Sequence, residues 1–347
     1  MEAGLPAEDL FDSNCAASAR LPDPISPTVY PRFALSSHPA PIFLAIEIGG
    51  SKLQLCVGSG TGEIAGHVRL SVDRAAGAEG IRSGILSALP PLLDEHHPAA
   101  IGVGYGGPVD WRTGRVVKSH QIEGWDDFPL AEWLTSHTGL PAYVENDSNA
   151  AAFGEALLGA GRGVSPVFYT NMGSGVGGGF VVDGQLYHGA PPGEMEFGHL
   201  RLDHEETTVE DRCSGWALDD RIRRAIALEP ASRLARLCGE VGTGGESRFL
   251  SAALSSGDEL AHRLLRETAE DLAYALSHAI HLLHPAIIVL GGGLALIGEP
   301  LRAAVASALS AHLMQVFQPG PAIALAALGE DAVPAGTLAL AARRHSN

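Results

Sequence analysis

The sequence predicts an α/β protein in which one structural plan occurs twice, and three observations carry that prediction. From Pro41 onward, short apolar runs alternate with longer stretches of helical periodicity. Two of the apolar runs, IFLAIEIGGSKLQLCVG near residue 41 and VFYTNMGSGVGGGFVVDGQL near residue 165, each read as strand, glycine turn, strand. Three glycine clusters stand at the ends of predicted strands: Gly49-Gly50 with Ser51 and Lys52, Gly173-Ser174-Gly175-Val176-Gly177-Gly178, and Gly291-Gly292-Gly293. A duplicated unit with a ligand cleft between the copies is the simplest architecture that accounts for all three.

Residues 1–40 stand apart. LPDPISPTVYPRF is proline-rich and has no clear period, so the segment reads as a surface tail or arm. The first domain is expected at residues 41–162 and the second at 163–347, with the last helix packing back on the first domain. In the second half, Asp183-Gly184 between two strand patterns is a hairpin signal. Leu264, Leu265, Leu272, Leu276, Ile280 and Leu283 recur at helical spacing and predict a helix over 259–284. That pattern stops at His284-Pro285, and AIIVLGGG follows as a buried strand entering a glycine turn.

Composition narrows the function. The chain has 347 residues, 46% of them hydrophobic, which is enough for two ordinary domains with a substantial core. Its formal net charge of −17, with no basic stretch, argues against a nucleic-acid partner. Four scattered cysteines, Cys15, Cys56, Cys213 and Cys238, form no CxxC pair and point to a reducing compartment. The opening MEAGLPAEDLFDSN has neither the basic nor the apolar region of a signal peptide. No apolar run approaches the roughly 18 residues that span a membrane. The expectation is a cytoplasmic protein with no membrane partner.

Glycine lets a backbone approach a phosphate closely and aim N–H groups at it. Both Gly173–Gly178 and Gly102–Gly107 match GxGxxG, yet a dinucleotide fingerprint requires a helix straight after the glycines. Here FVVDG follows the first and Pro108-Val109-Asp110 the second. GxxxxGK[ST] does not occur, so a Walker-type loop is excluded. Phosphate held between two β-hairpins is what these glycines still fit.

The motifs together resemble the ROK family of sugar kinases and repressors. AIEIGGSKLQL is similar to that family's first phosphate motif, TNMGSGVGGGFVVDGQLYHG to its second, and VLGGGLA to its adenosine-side motif. GVGYGGPVD, SHQIEGWDDFPL, VENDSNAAAFGE and EFGHLRLD resemble its sugar-binding segments. The resemblance runs from about Pro41 to the C-terminus. It implies an actin-like ATPase fold of two ribonuclease-H-like domains with the active site in the cleft between them. It also implies a homodimer that uses Mg2+ and ATP to phosphorylate a hexose.

By the same resemblance Asp147 is the catalytic base, and phosphoryl transfer does need a carboxylate to accept the hydroxyl proton. Taken alone, Asp147 also reads as the N-cap of the helix that Ser148-Asn149-Ala150 begins. The resemblance assigns Gly107, Gln121, Asn146, Glu196, His199 and Glu210 to the sugar. It assigns Glu47, Gly49, Gly50, Ser51, Lys52, Gly173, Ser174, Gly175, Gly177, Gly291, Gly292 and Gly293 to ATP.

Four departures from the family pattern matter. Glu47 replaces the usual Asp, Gln121 the common Asn, and Gly106 a common Pro. The fourth lies in GEMEFGHLRLDHEETTVE, where the family commonly carries a histidine followed by a CxCGxxGCxE loop that binds structural zinc. His199 is present, but RLDHEETTVE runs directly to Glu210 without the cysteines, and Cys213 belongs to the following segment, CSGWAL. No structural zinc is expected, and Asp203, His204, Glu205 and Glu206 read as a solvated turn. For His199 a buried, satisfied core histidine is the competing reading.

The leading expectation is therefore a kinase that converts glucose to glucose 6-phosphate. Fructose, mannose and N-acetylmannosamine stay open as substrates. A sugar-responsive regulator is disfavoured because no helix-turn-helix is seen before the first phosphate motif. A kinase fold that binds ATP and sugar without turnover is the third reading.

Overall fold

The computed structural model describes residues 41–50, 52–119, 122–191, 193, 195–239 and 243–346. The N-terminal tail, Ser51 and Gln121 lie outside the described residues. Residues 40–347 form one compact unit.

Two five-stranded sheets organise that unit. The first contains β1 (Ile42–Ile48), β2 (Lys52–Ser59), β3 (Ile64–Ser71), β4 (Ile101–Tyr105) and, after the short hairpin β5 (Val109–Asp110) and β6 (Arg115–Val116), β7 (Ala142–Asn146). The second contains β8 (Val167–Met172), β9 (Val176–Val182), β10 (Gln185–Leu186), β11 (Ile287–Gly291) and β12 (Ala322–Leu325). Their strand orders, β3-β2-β1-β4-β7 and β10-β9-β8-β11-β12, are the same plan. In each, the first three strands pair antiparallel and the last two join the first in parallel. The repeat read from the two glycine-turn stretches is thus a repeat of whole sheets.

Sequence explains the strands directly. β1 and β4 are central and buried on both faces, so they are apolar throughout except where Glu47 enters the cleft. β3 lies at an edge, and its residues alternate between half-buried and exposed. Asp183 and Gly184 both adopt positive φ, 51° and 69°, at the β9–β10 turn.

Helices cover the sheets. In the first half these are α1 (Gly77–His96), α2 (Leu130–Thr138) and α3 (Asp147–Leu157). In the second they are α4 (Val209–Cys213), α5 (Gly215–Leu228), α6 (Arg233–Cys238), α7 (Leu250–Ser255), α8 (Glu259–Leu283), α9 (Glu299–Leu309) and α10 (Ala332–His345). α8 occupies the predicted span and ends one residue before His284, whose φ of 49° closes it ahead of Pro285. Its N-cap is Asp258, which accepts from Ala261 N at 2.8 Å.

Leu44, Ile46 and Ile48 of β1 face Ile81 and Ile85 of α1, whereas Phe43 and Ala45 face Leu338 and Ala341 of α10. On the second sheet, Phe168, Ile288 and Leu290 join the core around α8, and Tyr169, Val181 and Val289 pack on Ala151, Ala152 and Ala156 of α3. α3, which follows the first sheet in the chain, therefore covers the second. α10, which follows the second sheet, covers the first.

Candidate active site

The cleft is built where the glycine turns of the two sheets face each other. In the β1–β2 turn Gly49 N donates to Lys52 O at 2.8 Å. In the β8–β9 turn Gly173 N donates to Gly175 O at 2.9 Å, and Gly215 N at the start of α5 donates to Gly173 O at 2.7 Å. A cavity of about 550 Å³ opens between these turns. It is lined by Glu47, Gly49, Gly50, Lys52, Gly107, Asn146, Asp147, Gly173, Ser174, Gly175, Gly177, Glu196, His199 and Glu210 among the residues singled out from sequence. A second cavity of about 400 Å³ shares Gly173 and Ser174 with it and is walled by Trp216, Asp219, Arg248, Gly293, Leu294 and Leu296, among others.

Asp147 is the first residue of α3, and the capping residue is its neighbour. Asn146 Oδ1 accepts from Ser148 N at 2.9 Å and Asn149 N at 3.0 Å, while its Nδ2 donates to Gly107 O at 3.2 Å. The alternative reading of Asp147 as N-cap is thereby corrected: the asparagine satisfies the helix start and leaves the aspartate for the cavity. Asp147 Oδ1 accepts from Ser148 Oγ at 3.2 Å, and Ser148 Oγ also bonds Asn171 Oδ1 at 3.0 Å. Burial, reinforced by the nearby Glu47 carboxylate, pushes the Asp147 pKa up to about 6. At Gly106 a β-carbon would stand 3.2 Å from Asp147 Oδ2, so the glycine where proline is common leaves room beside this carboxylate.

Glu47 lies near the end of β1. Its Oε1 pairs with Lys52 Nζ at 3.0 Å, and Gln54 Nε2 donates to its Oε2. Burial nonetheless holds its carboxyl above the usual range, against the pull of Lys52 and Gln54. Gln54 is fully buried and also meets His67 Nε2 at 2.7 Å. The longer side chain at position 47 thus comes with a partner on the next strand.

The opposite rim is polar and open. Glu196 and His199 stand 3.9 Å apart with side chains 52% and 68% exposed, which overturns the reading of His199 as a core histidine. Glu210, in the first turn of α4, accepts from Val176 N at 2.8 Å and so touches the second glycine turn. Thr208 caps α4, in a capping box with Asp211. Before it, Asp203 Oδ1 accepts from Glu205 N at 2.8 Å and Thr207 N at 3.1 Å in an exposed turn. Among the described residues no three metal-ligating side chains converge.

Among the described residues, two of those assigned from sequence line neither cavity. Gly292 has a φ of +79°, and a β-carbon there would lie 2.5 Å from Met172 N; at Gly291 it would lie 2.3 Å from the Tyr169 hydroxyl. Both allow β11 to pack closely behind the cleft, and only Gly293 of the three reaches the second cavity. Residues that sequence reasoning missed include Ser148, Asn171, Trp216, Asp219 and Arg248. Asp219 accepts from Gly245 N at 2.8 Å and Ser247 N at 2.7 Å, holding a loop whose Arg248 lies along the second cavity. No motif marks that loop, because only the tertiary fold brings it to the cleft.

Comparison with known proteins accords with this geometry. The sequence model of the ROK family matches residues 43–344. A glucokinase from Halalkalibacterium halodurans is 29% identical over 304 residues, 84% of this chain and 92% of its own. A beta-glucoside kinase from Listeria monocytogenes is 29% identical over 251 residues, 72% of this chain and 82% of its own. The crystal structure of a ROK family glucokinase from Streptomyces griseus, in complex with glucose and AMPPNP, superposes with a TM-score of 0.78 at 28% identity. That match covers 87% of this chain and 99% of the Streptomyces chain. The fold is that of the actin-like ATPases, and fold and cleft define an ATP-dependent sugar kinase. The chain belongs to the ROK family.

Proposed function

We propose that the chain transfers the γ-phosphoryl group of ATP to the C6 hydroxyl of a hexose, glucose first, with Asp147 as general base. The observation that carries this reading is the position of Asp147 in the cavity shared by both glycine turns and the polar rim. A carboxylate whose pKa is near 6 is ionised at pH 7 and still basic enough to take a hydroxyl proton as the bond to phosphorus forms. The glycine turns let phosphates approach the backbone closely, and Lys52 adds a positive charge. Glu196, His199, Glu210 and Asn146 supply directional hydrogen bonds to sugar hydroxyls.

The donor set suits a divalent cation. Glu47 faces the cavity of the glycine turns, and burial that Lys52 and Gln54 do not offset holds its carboxyl above the usual range. Oxygen ligands of this kind are those that Mg2+ takes together with nucleotide phosphates. Bound there, the ion would neutralise charge on the transferring phosphoryl group. Glucose is favoured because the Halalkalibacterium and Streptomyces relatives are glucokinases; the beta-glucoside kinase relative shows how close other sugar substrates stand.

The test is ADP release from Mg-ATP against glucose, fructose, mannose and N-acetylmannosamine. Glucose should stimulate release most, and Asp147→Asn should lower kcat by about 10²–10⁴. If no sugar stimulates release although ATP and sugar both bind, the reading fails.

A further inference from the structure

The cleft must receive a polyanion, yet its inner cavity is acidic. Among the described residues that line it, Glu47, Asp147, Glu196 and Glu210 are carboxylates, and Lys52 is the one lysine or arginine. Lys52 is moreover already paired with Glu47 at 3.0 Å. Backbone amides of the glycine turns contribute partial charges only. A divalent cation at Glu47 would offset part of this charge, and a side-chain cation within reach of the phosphates would offset more.

Arg74 stands at that place. It opens the short 3-10 turn Arg74–Ala76 after β3, whose start is capped by Asp73 accepting from Ala75 N at 3.0 Å. Its Nε donates to Gly50 O at 2.8 Å, which brings the guanidinium against the first glycine turn. The same guanidinium lies 5.6 Å from the ring centroid of Trp216, on α5 across the cleft. Trp216 is 55% exposed and walls the second cavity beside Gly173 and Ser174 of the other glycine turn. One side chain thus touches the phosphate turn of the first sheet and the aromatic wall that continues from the phosphate turn of the second.

We infer that Arg74 binds the phosphate groups of the nucleotide donor, giving up its contact with Trp216 across the cleft when the nucleotide arrives. This rests on the kinase reading above. An arginine fork suits phosphate oxygens because its N–H groups can engage two of them at once. The cation–π contact with Trp216 is exposed and weak, so it is easily given up. The indole that Arg74 covers is also a flat apolar surface for the adenine ring. Seating the base on Trp216 displaces the guanidinium, and the bond to Gly50 keeps it beside the phosphates.

Calorimetric binding of AMPPNP and of adenosine, both with Mg2+, tests this with wild type, Arg74→Ala, Arg74→Lys and Trp216→Phe. Arg74 is exposed, so its substitution leaves the fold intact. Arg74→Ala should weaken AMPPNP by about tenfold, with adenosine changed by less than about twofold, and Arg74→Lys should recover part of the AMPPNP affinity. AMPPNP should also change the fluorescence of the wild type by an amount that Trp216→Phe largely removes. Unchanged AMPPNP affinity in Arg74→Ala, or an equal loss for adenosine, overturns the inference. Wild-type turnover with sugar, measured alongside, separates failure of this residue's role from failure of the kinase reading.

Discussion

Asn146 takes the capping duty of α3 and leaves the Asp147 carboxylate facing the cavity. That freedom has a cost in stability. The unfolded aspartate gives up its proton near 3.8 and the folded one near 6, so between those values the folded state holds the extra proton. Stability therefore falls as pH rises through that window, and above it the full penalty persists. Asp147→Asn should consequently be more stable than wild type at pH 7–8, by about 1–3 kcal/mol, and the gain should vanish near pH 4. Denaturant melts at the two pH values check this. In the wild type the proposed base role of Asp147 predicts that kcat/KM falls about tenfold per pH unit once pH drops below about 6, as this carboxylate becomes protonated. Asp147, Glu210 and the glycine turns were picked out because they lie in contiguous stretches that resemble family motifs, and the fold brings them to one cavity. Asn171, Arg74 and Trp216 were not, because each gains its meaning from a partner on another element.

α3 and α10 show the same limit for elements. α8 announces itself by an amphipathic period, since one face meets the core and the other meets water. α10, AVPAGTLALAARRH, is buried along almost its whole length and so carries no such period. Its packing is instead written in small residues. A β-carbon at Gly336 would lie 1.8 Å from Ala150 O, and one at Gly154 would lie 3.0 Å from Gly336 N. These glycines set the distance between α10 and the helix that carries Asp147. Gly336→Ala should destabilise the protein by about 1–3 kcal/mol, read from denaturant midpoints, and should lower kcat as α3 shifts. Glu155 holds the far end of α3. Its buried carboxylate accepts from Ala160 N, Ala327 N and Leu328 N at 2.8–3.1 Å, fastening the helix to the segment that leads into α10.

At the scale of the whole molecule, the sheets are duplicated but one covering helix of each, α3 and α10, is exchanged. The repeat itself could be read from the two glycine-turn stretches, and the return of the last helix to the first domain was expected; the passage of α3 onto the second sheet was not, because it depends on which face that helix covers. A chain truncated before Ala332 should lose the layer over Phe43, Ala45 and Cys56. Such a truncation should show no cooperative thermal transition, whereas two independent halves would leave the second sheet's transition in place. The exchange also has a consequence for biosynthesis. The strand that leaves the ribosome first among the described residues is covered by the helix that leaves last. One apolar face of the first sheet therefore stays open to water until α10 has been made, which makes the nascent chain a natural client for chaperones.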